Sequence, residues 1–81
     1  MFNSYSVEKA VTCIITERAW SRWARMREKT LDVMRQNLVR AGCHEDSVRI
    51  AEPEYREGHY QGLGKWVGPH WVVYGYGFAK S

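Results

Sequence analysis

The sequence predicts a small α+β fold, in which an antiparallel sheet of β-α-β-β order carries one long, amphipathic, basic helix packed on one face. Three observations carry that prediction: a β-branched run near the N-terminus, a helical apolar period that ends at a glycine, and a two-residue alternation near the C-terminus. At 81 residues the chain makes a single domain, residues 1–81, because a chain this short buries only about 60% of its unfolded surface and cannot support two cores.

Residues 5 to 16 end in SVEKAVTCIIT, where Val11, Thr12, Ile14, Ile15 and Thr16 stand nearly together. Side chains branched at Cβ lose rotamer freedom in a helix and fit a pleated surface, so this segment reads as strand one. The spacing of Val7, Val11 and Ile14 also fits a helix extended back to Ser6, which is the alternative at this point. Thr16 is placed to cap a helix with Glu17 in its first turn, and Gly42 is placed to end it, so residues 17 to 41 read as one helix. At about 100° per residue, Ala19, Trp20, Trp23, Ala24, Leu31, Met34, Leu38 and Ala41 share the face that packs on the sheet.

Ser47 to Ala51 reads as strand two, and Pro53 ends pairing or marks an edge because it cannot donate to a ladder. The stretch from Gly58 to Pro69 holds four glycines and reads as loop or hairpin, the segment expected to move most. In residues 70 to 79, HWVVYGYGFA, Val72, Tyr74, Tyr76 and Phe78 point one way and Trp71, Val73, Gly75 and Gly77 the other, which makes strand three. The two glycines leave a trough into which Trp20 and Trp23 are expected to press. That arrangement buries the Trp71 face and exposes the Tyr74, Tyr76, Phe78 row at least in part.

Twelve Lys and Arg against nine Asp and Glu give a net charge of +3. Its distribution is uneven: seven Lys and Arg face three Asp and Glu within residues 17 to 42, whereas Glu45, Asp46, Glu52, Glu54 and Glu57 outnumber Arg49 and Arg56 in residues 44 to 57. No segment approaches the roughly 18 consecutive apolar residues of a membrane span, and the N-terminus does not read as a secretory leader. The expected compartment is therefore the cytoplasm, with no membrane partner. Cys13 and Cys43 read as two reduced thiols; a single bridge between them requires the helix to return the chain to strand one.

Arg27 falls near the centre of the apolar helix face, where a charge is costly unless it is paired or reaches water, so a partner in Glu52 or Glu54 is expected. Arg18, Arg22, Arg25, Lys29 and Arg40 fall on the opposite face, and the predominance of arginine suits bidentate contact with carboxylates or phosphates. The peptide Tyr74-Gly75-Tyr76-Gly77-Phe78 resembles the core of the third-strand signature of the RNA recognition motif. That resemblance implies stacking of bases on Tyr76 and Phe78. The chain departs from the signature in having Tyr74 where the motif has Lys or Arg, and Ala79, Lys80 and Ser81 in place of its apolar-any-aromatic ending.

Catalytic equipment is not apparent. Cys43, His44, His59 and His70 show no metal-ligand spacing, and no cofactor is expected. Cys43-His44-Glu45 places a nucleophile, a base and an acid side by side, but such groups normally converge from distant segments. Gly62-Leu63-Gly64-Lys65 fails as a phosphate loop, since His59 stands where that motif needs glycine and Trp66 replaces its hydroxyl residue. The expectation is a protein-binding module, of the kind that serves as a stoichiometric inhibitor or adaptor, as in phage-type inhibitors of host defence complexes. Its partner is expected to be a larger protein with an acidic or mixed surface, met through Arg18, Arg22, Arg25, Lys29 and Arg40 or through Tyr74, Tyr76 and Phe78. Nucleic-acid binding through the arginines or the strand aromatics is the alternative, and a homodimer covering the aromatic face is expected as well.

Overall fold

The computed structural model describes residues 7–79. Strand one is β1 (Val7–Thr16); its beginning at residues 5 and 6 lies outside the described residues. The chain then forms α1 (Glu17–Trp20), α2 (Trp23–Arg40), a short 3-10 turn (Glu45–Ser47), β2 (Arg49–Ile50), β3 (Glu54–Arg56), β4 (His59–Gln61), β5 (Lys65–Val67) and β6 (His70–Ala79). The fold is the small α+β arrangement that the sequence predicts. β6 runs through the middle of the main sheet, paired antiparallel with β1 on one side and with β2 and β3 on the other. β4 and β5 form a separate hairpin.

The β1–β6 pairing is continuous from Val7 opposite Ala79 to Thr16 opposite His70, with no bulge. Residues opposite one another in an antiparallel pair share a face, so Val11, Cys13 and Ile15 line up with Gly75, Val73 and Trp71 beneath the helix. Ile15, Trp23, Met34 and Val73 form one buried cluster there, with Ala19, Trp20, Leu31, Ile50 and Trp71 packed around it. Leu38, Cys43 and Val48 form a second, around the last turn of the helix and the segment that follows it.

The helix is broken where the sequence predicts one continuous element. Thr16 caps it as expected, its hydroxyl accepting from the Ala19 amide at 3.2 Å, but Ser21 and Arg22 interrupt the α-pattern. The Arg22 amide donates to the Ala19 carbonyl three residues back, and the Arg25 amide does the same to Arg22. Three residues per turn eclipse side chains at i and i+3. The tightening therefore brings Trp20 and Trp23 into line, their rings 6.4 Å apart and only 8° from parallel.

These indoles do not fill the glycine trough, contrary to expectation. Trp20 stacks on Trp71 instead, at 4.1 Å and 2°, and Tyr55 meets the other side of Trp71 edge-on at 5.1 Å. The trough is occupied by Met34 and Ile50 over Gly75 and by Cys43 and Val48 over Gly77. Ala24 and Ala41, expected on the buried face, are exposed: the break shifts the register of the first turns, and Ala41 is the C-cap that follows the helix at Arg40. At its C-terminus the helix ends in a Schellman arrangement: Gly42, at φ 108°, donates to Val39, and Cys43 donates to Leu38.

Strand two is shorter than predicted, because Glu45–Ser47 coils into the 3-10 turn. Its neighbour β3 was not anticipated. Pro53 separates the two, and both add to the same edge of β6 at different heights. Arg27 reaches Glu52 at 3.6 Å, with both side chains half or more exposed, so the pair is a surface contact worth no more than about 1 kcal/mol.

Candidate functional site

Because Trp71, Val73, Gly75 and Gly77 face the helix, the alternate β6 side chains Val72, Tyr74, Tyr76 and Phe78 stand on the opposite side of the sheet. On that side Tyr74 is exposed, whereas Val72, Tyr76 and Phe78 are half-buried. Tyr74 and Tyr76 lie 6.1 Å apart, tilted by 35°, and Tyr76 meets Phe78 edge-on at 6.1 Å. β1 extends the apolar surface, with Ile14 opposite Val72 and Thr12 opposite Tyr74. Tyr74 is 42% exposed and Ile14 57%.

Charges frame this row without favouring either sign. Glu8 lies opposite Phe78, Arg49 opposite Tyr76, Glu54 opposite Val72 and Arg56 opposite His70. Arg56 pairs with Glu54. Arg49 is pinned by its own turn, donating to the carbonyls of Asp46 at 3.0 Å and Val48 at 2.9 Å. With Asp46, Ser47, Tyr76 and Phe78 it lines a shallow groove of 380 Å³.

The helix cations predicted to share this work are exposed but dispersed. Arg18 borders a groove with Pro69 and His70, Lys29 one beside β1, and Arg40 one with Asp32 and Glu45. Arg22 sits at the break, and Arg25 one turn further on. Arg18 shares its groove with Ile14, at the margin of the aromatic face, and none of the five lines a groove with Tyr74, Tyr76 or Phe78. The structure therefore brings Tyr74, Tyr76 and Phe78 together and leaves the helix cations apart.

A second exposed apolar surface was missed by sequence reasoning. The β4–β5 hairpin presents Tyr60 and Trp66 as a cross-strand pair with rings 5.0 Å apart, and Leu63 at its tip is fully exposed. Leu63 and Gly64 both have positive φ, 52° and 74°, and the Lys65 amide closes the turn on the Gly62 carbonyl at 3.0 Å. With Gly62 at φ 44°, three successive residues of the loop between Gln61 and Lys65 take left-handed backbone, a conformation in which leucine is a costly residue. The sequence signal is Gly-Leu-Gly flanked by Tyr60 and Trp66, a stretch that reads as loop or hairpin without showing that its aromatic residues pair across the strands. The backbone here favours Asn-Gly, so Leu63→Asn is expected to strengthen the turn by about 0.5–1 kcal/mol. Slower hydrogen exchange of the Lys65 amide, by roughly three-fold, is the readout.

Among the described residues no group of three or more His, Cys, Asp and Glu is placed to hold a metal ion. Cys13 and Cys43 are free. No described helix is long and apolar enough to cross a membrane. No family model, curated protein or solved structure matches this chain.

Proposed function

We propose that this chain is a non-catalytic protein-protein interaction module that docks onto a larger partner through the open face of its sheet, as an inhibitor or adaptor would. The observation that carries the reading is the Tyr74, Tyr76, Phe78 row. Rigid aromatic side chains on a strand offer large contact area at little cost in conformational entropy. An uncovered apolar surface is also an aggregation liability unless a partner uses it. The balanced charges of Glu8, Arg49, Glu54 and Arg56 suit a protein surface of mixed sign better than a polyanion. The exposed Leu63, held in a backbone conformation that other residues fill more cheaply, supports binding as the use of the hairpin tip too. Free thiols fit action in a reducing compartment such as the cytoplasm.

One observation favours a second reading. Arg49 stands beside Tyr76 on the same face, the pairing of cation and ring that single-stranded nucleic acid uses. The dispersed helix arginines do not add to it.

Fluorescence anisotropy with labelled single-stranded and duplex oligonucleotides at two salt concentrations separates the two readings. The protein-binding reading expects no binding at low salt, and loss of at least about 100-fold in affinity for an identified protein partner in Tyr74→Ala/Tyr76→Ala. Micromolar binding to oligonucleotides that weakens steeply with salt and with Arg49→Ala would replace it.

A further inference from the structure

The two edges of the main sheet are treated very differently by the sequence. On the β2–β3 side the strands are two and three residues long and are split by Pro53, and charged side chains crowd them. These are the devices by which natural sheets prevent further pairing. β1, on the other side, runs for ten residues without a bulge or proline, and carries no charge from Ala10 to Thr16.

The backbone bonds show which groups that edge presents. Tyr74 and Phe78 turn their carbonyls toward the β2 side, where they accept from Ala51 at 2.8 Å and His44 at 3.0 Å. Alternation then directs the backbone of Val73, Gly75 and Gly77 toward β1, where it meets Cys13, Val11 and Lys9. The N–H and C=O groups of Glu8, Ala10, Thr12 and Ile14 are left pointing away from the sheet, with Thr12 at the middle.

Above this edge lies a flank of α2 that is also unused. Met26 and Val33 are 46% and 47% exposed, and with Lys29, Thr30, Met34 and Asn37 they wall a groove of 530 Å³ whose floor is Thr12 and Cys13. A strand added to β1 fills only the lower half of that step. A complete neighbour must bring a strand and a helix.

We propose that the occupant is a second copy of this chain, related by a two-fold axis perpendicular to the sheet that passes beside Thr12. Such an axis turns β1 antiparallel to its counterpart, which sets Thr12 opposite Thr12 and Ala10 opposite Ile14, and Val11 opposite Cys13 on the helix side. Every pair keeps both residues on one face, as antiparallel pairing demands. The same rotation lays α2 antiparallel to its counterpart. Since α2 straddles β1 and β6 and strands lie about 4.8 Å apart, the helix axes come about 8–10 Å apart, the distance at which helices pack. Met26 then faces Asn37 and Thr30 faces Val33 across the axis.

The area suffices. Ten residues at about 3.3 Å each make an edge about 33 Å long, and the sheet and helix layers together stand about 20 Å tall, so the edge presents roughly 660 Å² per copy, near the lower end of the ~800 ± 200 Å² per partner of a standard interface. An extended peptide from another protein leaves Met26 and Val33 in water, which is why a second copy is the better occupant. This surface differs from the aromatic face on which the sequence placed a homodimer, and the proposal stands independently of what that face binds.

Sedimentation equilibrium and light scattering over a wide concentration range provide the test. The expected result is twice the 9.5 kDa chain mass, with Thr12→Pro weakening association by about 100-fold or more. Proline is tolerated at Thr12 because the lost N–H points away from the sheet; circular dichroism checks that the fold persists. Should Thr12→Pro unfold the chain, Met26→Lys/Val33→Lys at exposed helix positions decides the matter, and is expected to give a folded monomer. A monomer mass for the unmodified chain up to about 1 mM overturns the proposal. So does a dimer that survives Met26→Lys/Val33→Lys but separates in Tyr74→Ala/Tyr76→Ala.

Discussion

Replacing Trp71 with alanine is expected to remove about 3–4 kcal/mol of stability, roughly half of what an 81-residue domain possesses at about 0.05–0.15 kcal/mol per residue. The indole is clamped between Trp20, stacked at 4.1 Å, and Tyr55, edge-on at 5.1 Å. Its loss leaves a void under the first turn of the helix, and neither neighbour can follow, because Trp20 is fixed by the tightened turn and Tyr55 by β3. Urea unfolding checks this: the midpoint should fall while the slope stays constant. Trp71→Phe, which keeps a ring in the clamp, should recover more than half of the loss. Equal effects for Ala and Phe would mean that the stack contributes little.

The second large effect is expected at Gly77. A Cβ there would sit 3.2 Å from the Cβ and Sγ of Cys43 and from a Val48 methyl. Cys43 Cβ is held by the Schellman turn and cannot swing away. Valine favours strands by up to about 1 kcal/mol, but forcing its methyls into this contact costs about 3 kcal/mol, so Gly77→Val should destabilise by about 2 kcal/mol. Gly75 provides the comparison. A Cβ at that position meets the flexible end of Met34 and the Cγ1 of Ile50 at 3.3 Å, and the Arg49 carbonyl oxygen at an ordinary 3.7 Å, so the methionine can give way and less must move than at Gly77. Gly75→Ala is therefore expected to be nearly neutral while Gly77→Ala costs about 1 kcal/mol, a contrast that thermal melts of the two variants resolve.

The contrast also indicates what the sequence could and could not tell. Period alone assigned the two faces of β6, because alternation in HWVVYGYGFA admits one burial pattern once a helix must cover one side. Thr16 and Gly42 marked the ends of the helical region because caps act locally. The same local reasoning misplaced the indoles. A helical wheel assumes an unbroken helix, and nothing between Trp20 and Trp23 signals a tightened turn; only the approach of Trp71, 51 residues beyond Trp20, gives that turn its purpose. β3 was hidden for a related reason, since three residues after a proline carry no period, and their pairing depends on where β6 lies. For the candidate site, the aromatic row was legible as a pattern. The basic helix face was a projection onto one cylinder, and on the folded chain its members border separate grooves.

Pro53 has a consequence for assembly in bulk. A protein with two open sheet edges can add copies at both, head to tail, and grow without limit into a fibre. Here one edge is interrupted and charged, so strand addition can proceed on one side only. A copy that has used its β1 edge has no second long, uncharged edge on the main sheet among the described residues, so the series terminates at two. Straightening the interrupted edge would convert a self-limiting particle into a polymerising one, so the proline at the break between β2 and β3 protects the solubility of the whole population.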